Sequence, residues 1–110
     1  MSSKYHNKIT YFNGIRFDSK KEATRYQELL LMQKAGVISN LQRQVYYLLK
    51  PTQRDEKGKL LFKKLGYKAD FVYKRDGKLV VEDVKGKKTP LYNWKKAEMY
   101  EKYGILVQEV

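Results

Sequence analysis

Two hydrophobic periods alternate along this chain. Residues 8–12 (Lys-Ile-Thr-Tyr-Phe) and 15–17 (Ile-Arg-Phe) are short strand-type runs flanking Asn13-Gly14, a dipeptide suited to the positive φ angles of a tight hairpin turn. Ser19-Lys-Lys-Glu22 has the spacing of a helix capping box, and the spacing predicts a helix over about 20–35. Ala23, Tyr26, Leu29, Leu30 and Met32 supply its buried stripe, and Gly36 is placed to stop it. Residues 41–49 read as a strand. Residues 51–66 form a basic connection with a hairpin around Lys57-Gly58. Two further strands, 67–74 and 78–85, flank Arg75-Asp76-Gly77. Thr89-Pro90 pairs an N-cap with proline at the first helical position, predicting a helix over 90–103 that ends at Gly104. Residues 105–110 close the chain as a strand. No repeat, low-complexity tract or linker divides residues 1–110, so one domain is expected. The order is that of an α/β fold: a hairpin, a helix, a three-strand meander, a second helix and a last strand, with a mixed sheet.

The hairpin at Asp76-Gly77 places two acids together. With those two residues as the loop, Arg75 pairs with Lys78, and counting back five residues on each strand sets Asp70 opposite Asp83. Alternation along the strands puts Val72, Val81 and Lys85 on the face of those aspartates. Phe71, Tyr73, Val80, Glu82 and Val84 take the other face. Carboxylates directly across a ladder have Cβ atoms about 5 Å apart and repel. Aspartate is also a poor strand former, so two of them between valines and aromatics need a stabilising partner. A divalent cation with oxygen ligands supplies one. Lys85 reaches the same site along its strand. Glu22, at the edge of the first helix's apolar stripe, either serves only the capping box or points into the site.

Composition narrows the chemistry. There is no cysteine, which excludes thiol catalysis, disulfides and cysteine-held zinc. The single histidine, His6, stands in a polar stretch without the third group that a Ser-His-Asp arrangement needs. No glycine-rich phosphate loop is present. The chain carries 24 Lys and Arg against 12 Asp and Glu, a formal charge of +12. Over residues 43–78 the balance is eleven basic to four acidic. A surplus of this size on a small domain points to a polyanion, with nucleic acid first and an anionic membrane surface second. No run is long and apolar enough for a membrane span, and the first residues lack the apolar stretch of a signal peptide. The expected location is therefore the cytoplasm.

Glu22, then Asp70, then Asp83-Val84-Lys85 resembles the PD-(D/E)XK nuclease superfamily. Tyr67-Lys-Ala-Asp-Phe-Val-Tyr73 followed by Val81-Glu-Asp-Val-Lys-Gly86, with Gly14-Ile-Arg-Phe-Asp-Ser-Lys-Lys-Glu22 at the start, looks like the small phage and prophage proteins of the DUF1064 type. The resemblance spans about residues 14–110. It implies a restriction-endonuclease-like αβββαβ core behind the N-terminal hairpin, and a Holliday-junction-resolvase-like endonuclease. Ala69 stands where many superfamily members have proline. Glu82 competes with Asp83 as the motif acid, but the spacing to Lys85 and the alternation of faces favour Asp83.

The resemblance further implies that Asp70, Asp83, the Val84 carbonyl and Glu22 hold one or two Mg²⁺ or Mn²⁺ ions. Glu22, Asp70, Asp83 and Lys85 are then the catalytic set. Lys87, Lys88, Lys95 and Lys96, with Lys63 and Lys64 of the basic connection, are expected at the DNA backbone. The expected substrate is branched DNA such as a four-way junction. Paired cleavage of it by a chain with one site calls for a homodimer, through Val37-Ile38, residues 51–66 or the last helix. The alternative is a non-catalytic DNA- or RNA-binding module on a nuclease-like fold.

Overall fold

The computed structural model describes residues 8–84 and 88–110. The two turn dipeptides act as their sequences require. Strands β1 (Thr10–Phe12) and β2 (Ile15–Phe17) pair antiparallel, with Phe12 opposite Ile15. Asn13 and Gly14 take φ of 51° and 77° between them, the double positive φ of a type I′ turn. Helix α1 (Lys20–Lys34) starts at Ser19, whose hydroxyl accepts the Glu22 N–H. Its buried residues are Glu22, Ala23 and Leu29; Tyr26, Leu30 and Met32 of the expected stripe are half-buried.

Strand β3 (Ser39–Lys50) is longer than the expected 41–49. The connection after it forms its own two-stranded arm, β4 (Gln53–Arg54) with β5 (Leu60–Phe62). Asp55 shapes the arm's turn, its side chain accepting from the N–H groups of Lys57 and Lys59. Strands β6 (Leu65–Arg75) and β7 (Lys78–Asp83) then pair antiparallel, with Arg75 opposite Lys78 and Phe71 opposite Glu82. Asp76 and Gly77 are again both at positive φ, so the turn sets the register the sequence implied.

Helix α2 (Pro90–Tyr103) has Thr89 as N-cap and Gly104, at φ 68°, as C-cap. The Ile105 N–H turns back to the Met99 carbonyl. This cap consumes residues expected in the last strand, and β8 is confined to Gln108–Glu109. It lies parallel to β7, with Glu109 opposite Asp83. The main sheet has the order β3-β6-β7-β8 and is mixed, so the chain has an α/β fold with two helices.

Each helix covers its own apolar layer. Phe17, Ala23, Leu29, Ile38, Phe71 and Tyr73 are buried together on the α1 side, with Leu41, Val80 and Val84 packed against them. Leu49, Tyr67, Ala69, Val72, Val81, Tyr92, Met99 and Val107 form the α2 layer, joined by Val45 and Tyr47. The expected division of the β6–β7 hairpin therefore holds for Val72 and Val81 on one side and Phe71, Tyr73, Val80 and Val84 on the other. Ile38, offered by the sequence as part of a subunit contact, is instead core.

One irregularity sets the site. Tyr67, Ala69, Phe71 and Tyr73 are all odd-numbered and should share a face, yet the first two pack on α2 and the last two on α1. Strand β3 does the same. Val45, Tyr47 and Leu49 lie in the α2 layer. Leu41 lies in the α1 layer, and the Arg43 guanidinium covers the rings of Phe17 and Tyr26 there, at 4.5 and 5.6 Å. The exchange falls between Arg43 and Val45, opposite Phe71 and Ala69. Gln44 and Asp70 occupy the crossover, and Gln44 has φ 53°, a left-handed conformation that glutamine rarely adopts.

Candidate functional site

Three acidic side chains are buried among the described residues: Glu22, Glu82 and Asp83. Their surroundings separate structural from chemical roles. Glu82 faces α1, where Arg25 grips it with Nε to Oε1 at 2.9 Å and Nη2 to Oε2 at 2.7 Å. The Tyr73 hydroxyl also donates to it. A two-pronged guanidinium clamp is the geometry that compensates a buried carboxylate. Burial, then the bond to Glu82, push the Tyr73 hydroxyl up to about 12. Glu82 is thus held by a structural ion pair away from the other acids.

Asp83 lies on the opposite face. The Tyr67 hydroxyl donates to its Oδ2 at 2.6 Å, and burial with this bond raises the Tyr67 hydroxyl far above its ordinary range. The Asp83 carbonyl accepts the Val110 N–H at 3.1 Å, so β8 braces this end of β7. One step beyond Phe71 and Glu82 in the ladder, the carboxyls of Asp70 and Asp83 share a hydrogen bond. Asp70 Oδ2 also accepts the Val84 N–H at 2.8 Å.

The Asp70 carboxyl is pushed up to about 8. Burial is the largest cause, followed by its hydrogen bond with Asp83. The Val84 N–H opposes these, and the charges of Asp83 and Glu22 add to them. Two acids in a partly desolvated place cannot both carry charge cheaply without a cation.

Glu22 reaches the same place from the first turn of α1. Gln44 joins it to Asp70: Nε2 donates to Glu22 Oε2 at 3.0 Å and to Asp70 Oδ1 at 3.3 Å. Burial and the charge of Asp18 raise the Glu22 carboxyl above its ordinary value, with Arg43 the main opposing charge. The structure therefore brings Glu22, Asp70 and Asp83 to one place, with the Val84 backbone beside them. Lys85 and Lys87 lie outside the described residues.

Gln44 was not singled out in the sequence. The signal that could have found it was Gln42-Arg43-Gln44, three polar residues in a row inside a strand, which breaks the alternation of a half-buried sheet. The donors gathered here are oxygens, the type that Mg²⁺ and Mn²⁺ take. Among the described residues no three acidic or histidine side chains already converge as a cation cage. The Gln44 amide stands between two of the three acids.

The expected DNA-contacting lysines fall in two groups. Glu109 engages Lys88 at 3.0 Å and Lys96 at 3.2 Å, and these contacts, with a hydrogen bond to Tyr92, hold its carboxyl down to about 2. Lys95 is half-buried on α2. Lys63 and Lys64 stand exposed where the arm rejoins β6, with Lys64 over the Tyr46 ring at 5.7 Å. The arm also exposes Leu60, Leu61 and Phe62, the last at 67%. No described helix is long and apolar enough to cross a membrane.

No curated protein and no solved structure matches the chain. The family described as protein of unknown function DUF1064 matches residues 2–109. With nearly its whole length aligned to that family, the chain belongs to DUF1064.

Proposed function

We propose that this protein is a divalent-cation-dependent endodeoxyribonuclease that hydrolyses phosphodiester bonds in branched DNA. The observation that carries the reading is the meeting of Glu22 and Asp70 at the Gln44 amide, with Asp83 beside Asp70. Acids retained at such a cost in self-repulsion are accounted for by a cation that binds them. The +12 charge and the basic arm suit a polyanionic substrate. The preference for branched DNA follows from the resemblance to junction-resolving nucleases of the PD-(D/E)XK type, and with it a restriction-endonuclease-like core.

In this reading Asp70, Asp83 and Glu22 hold Mg²⁺ or Mn²⁺, with the Val84 carbonyl as a further oxygen. Such an ion, when bound, acidifies water and stabilises charge building at phosphorus. The chain's own groups prepare the place. The Tyr67 hydroxyl fixes the Asp83 carboxyl against rotation. The Val84 N–H fixes Asp70 through Oδ2, which turns Oδ1 towards Gln44 and Glu22. Lys85, two residues after Asp83, adds positive charge where the transition state gains negative charge. Lys63, Lys64 and their neighbours on the arm attract the phosphate backbone. Two such chains related by a twofold axis would cut a four-way junction at paired positions.

The test is cleavage of labelled four-way junction and linear duplex DNA with Mg²⁺, Mn²⁺ or EDTA. The reading expects cation-dependent cutting of the junction in preference to duplex, lost in Asp83→Ala and Lys85→Ala while salt-sensitive binding persists. Binding without cleavage under every metal condition would assign the protein instead as a non-catalytic nucleic-acid-binding module. Equal cutting of junction and duplex would keep the nuclease and remove the resolvase.

A further inference from the structure

Gln44 is a strand residue at φ 53°, and one whose side chain ties two elements distant in sequence. Strain of this kind persists only where the surroundings over-determine it. Here the surroundings are the crossover itself: β3 and β6 exchange helical layers at the Gln44–Asp70 position. The result is that a β3 side chain lies within hydrogen-bond reach of both α1 and β6. Its amide nitrogen contacts one oxygen of Glu22 and one of Asp70. Those are two of the acids assigned to the cation, and the N–H groups that lie between them carry partial positive charge.

We propose that Gln44 is a cation-binding residue of this site, whose amide spans Glu22 and Asp70 in the cation-free protein and turns to present Oε1 when a divalent cation enters. The inference rests on the nuclease reading above and adds to it a residue that the motif does not contain. A primary amide suits the task because it offers two donors on one end and an acceptor on the other. Without a cation it offsets the mutual repulsion of two acids. With one, the same side chain supplies an oxygen of the hard kind these ions accept. A lysine at this place would compete with the ion permanently, and an aliphatic residue would leave the acids opposed.

The test measures Mn²⁺ affinity by calorimetry and by electron paramagnetic resonance, on the intact chain without DNA. Gln44→Gly removes the amide but suits the positive φ, so its backbone is kept; Gln44→Glu retains an oxygen at the same reach. Gln44→Gly is expected to weaken Mn²⁺ binding about tenfold, and Gln44→Glu to match or exceed the native affinity. In the ¹⁵N-labelled native protein, the Gln44 side-chain NH₂ signals, identified by their loss in Gln44→Gly, are expected to shift on saturation with Mg²⁺. Native and glycine affinities within twofold of each other, or NH₂ signals that stay in place under saturating Mg²⁺, would overturn the role of Gln44 and leave the nuclease reading standing. A native protein that binds no Mn²⁺ would overturn both.

Discussion

Gln44 faces Asp70 across β3 and β6, and at this one position both strands change the helix against which they pack. Before it, odd-numbered β3 residues lie towards α1; after it they lie towards α2. The half-turn is stabilised on both sides by buried apolar residues, Phe71 and Tyr73 in one layer and Tyr67 and Ala69 in the other. Its by-product is a polar seam through the sheet, where carboxyls from β6 and β7 meet one from α1. Site and core irregularity are one feature.

Asp70→Asn should separate stability from chemistry. An amide can accept from the Val84 N–H and donate towards Asp83 without ionising, giving up only the bond accepted from the Gln44 amide. The metal-free variant is expected to melt about 4 °C higher than the native protein at pH 8, a gain of roughly 1 kcal/mol. Cleavage should fall at least about a hundredfold. Melting by circular dichroism in EDTA, beside a junction-cleavage assay, reads both.

The same carboxyl gives the metal-free protein a pH dependence. Asp70 keeps its proton in the folded state to about pH 8, whereas the unfolded chain loses it near pH 4. Between these values the folded form binds more protons, so stability falls as pH rises. The raised Glu22 carboxyl acts in the same direction. Melting temperature in EDTA is expected to drop by at least about 10 °C from pH 5.5 to 8.5. Saturating Mn²⁺ should reverse the trend, because the ion binds the deprotonated acids.

Arg25 and Glu82 should matter for folding and little for cation binding. Arg25→Ala leaves the Glu82 carboxylate buried without its clamp. The cost is expected near 2–3 kcal/mol, moderated because the Arg25 side chain is 24% exposed. Urea denaturation measures it. Mn²⁺ affinity of the folded variant should stay within twofold of native, since the pair lies on the other face of β7.

Lys63 and Lys64 should contribute electrostatic attraction alone. Replacing both by Ala is expected to lower the slope of log K against log salt by about two for duplex DNA, one for each phosphate no longer neutralised. Cleavage at low salt and saturating protein should remain near native. Fluorescence anisotropy across a salt series checks the first expectation, and single-turnover cleavage the second.

Much of this architecture was legible because local chemistry decides it. Asn13-Gly14 and Asp76-Gly77 demand one kind of turn, and the second of these set Arg75 against Lys78 and so Asp70 beside Asp83. Ser19 and Thr89 marked both helix starts. The crossover was not legible, because strand periodicity assumes one phase and the change of phase at Gln44 arises from packing on two helices at once. The Arg25–Glu82 clamp escaped for a related reason: its partners are 57 residues apart, and nothing local to either names the other. Glu22 stood between a cap and the site, and its environment shows contacts belonging to both.

The β4–β5 arm is spliced between β3 and β6, two strands that pair directly with each other whether or not it is there. Lengthening such an insertion carries only a slowly growing entropic penalty. Descendants of this fold can therefore rewrite the arm's reach and its blend of cations and greasy side chains while the acids of the main sheet keep their spacing. In the proposed nuclease, choice of target and chemical competence would be free to evolve on separate parts of the same short chain.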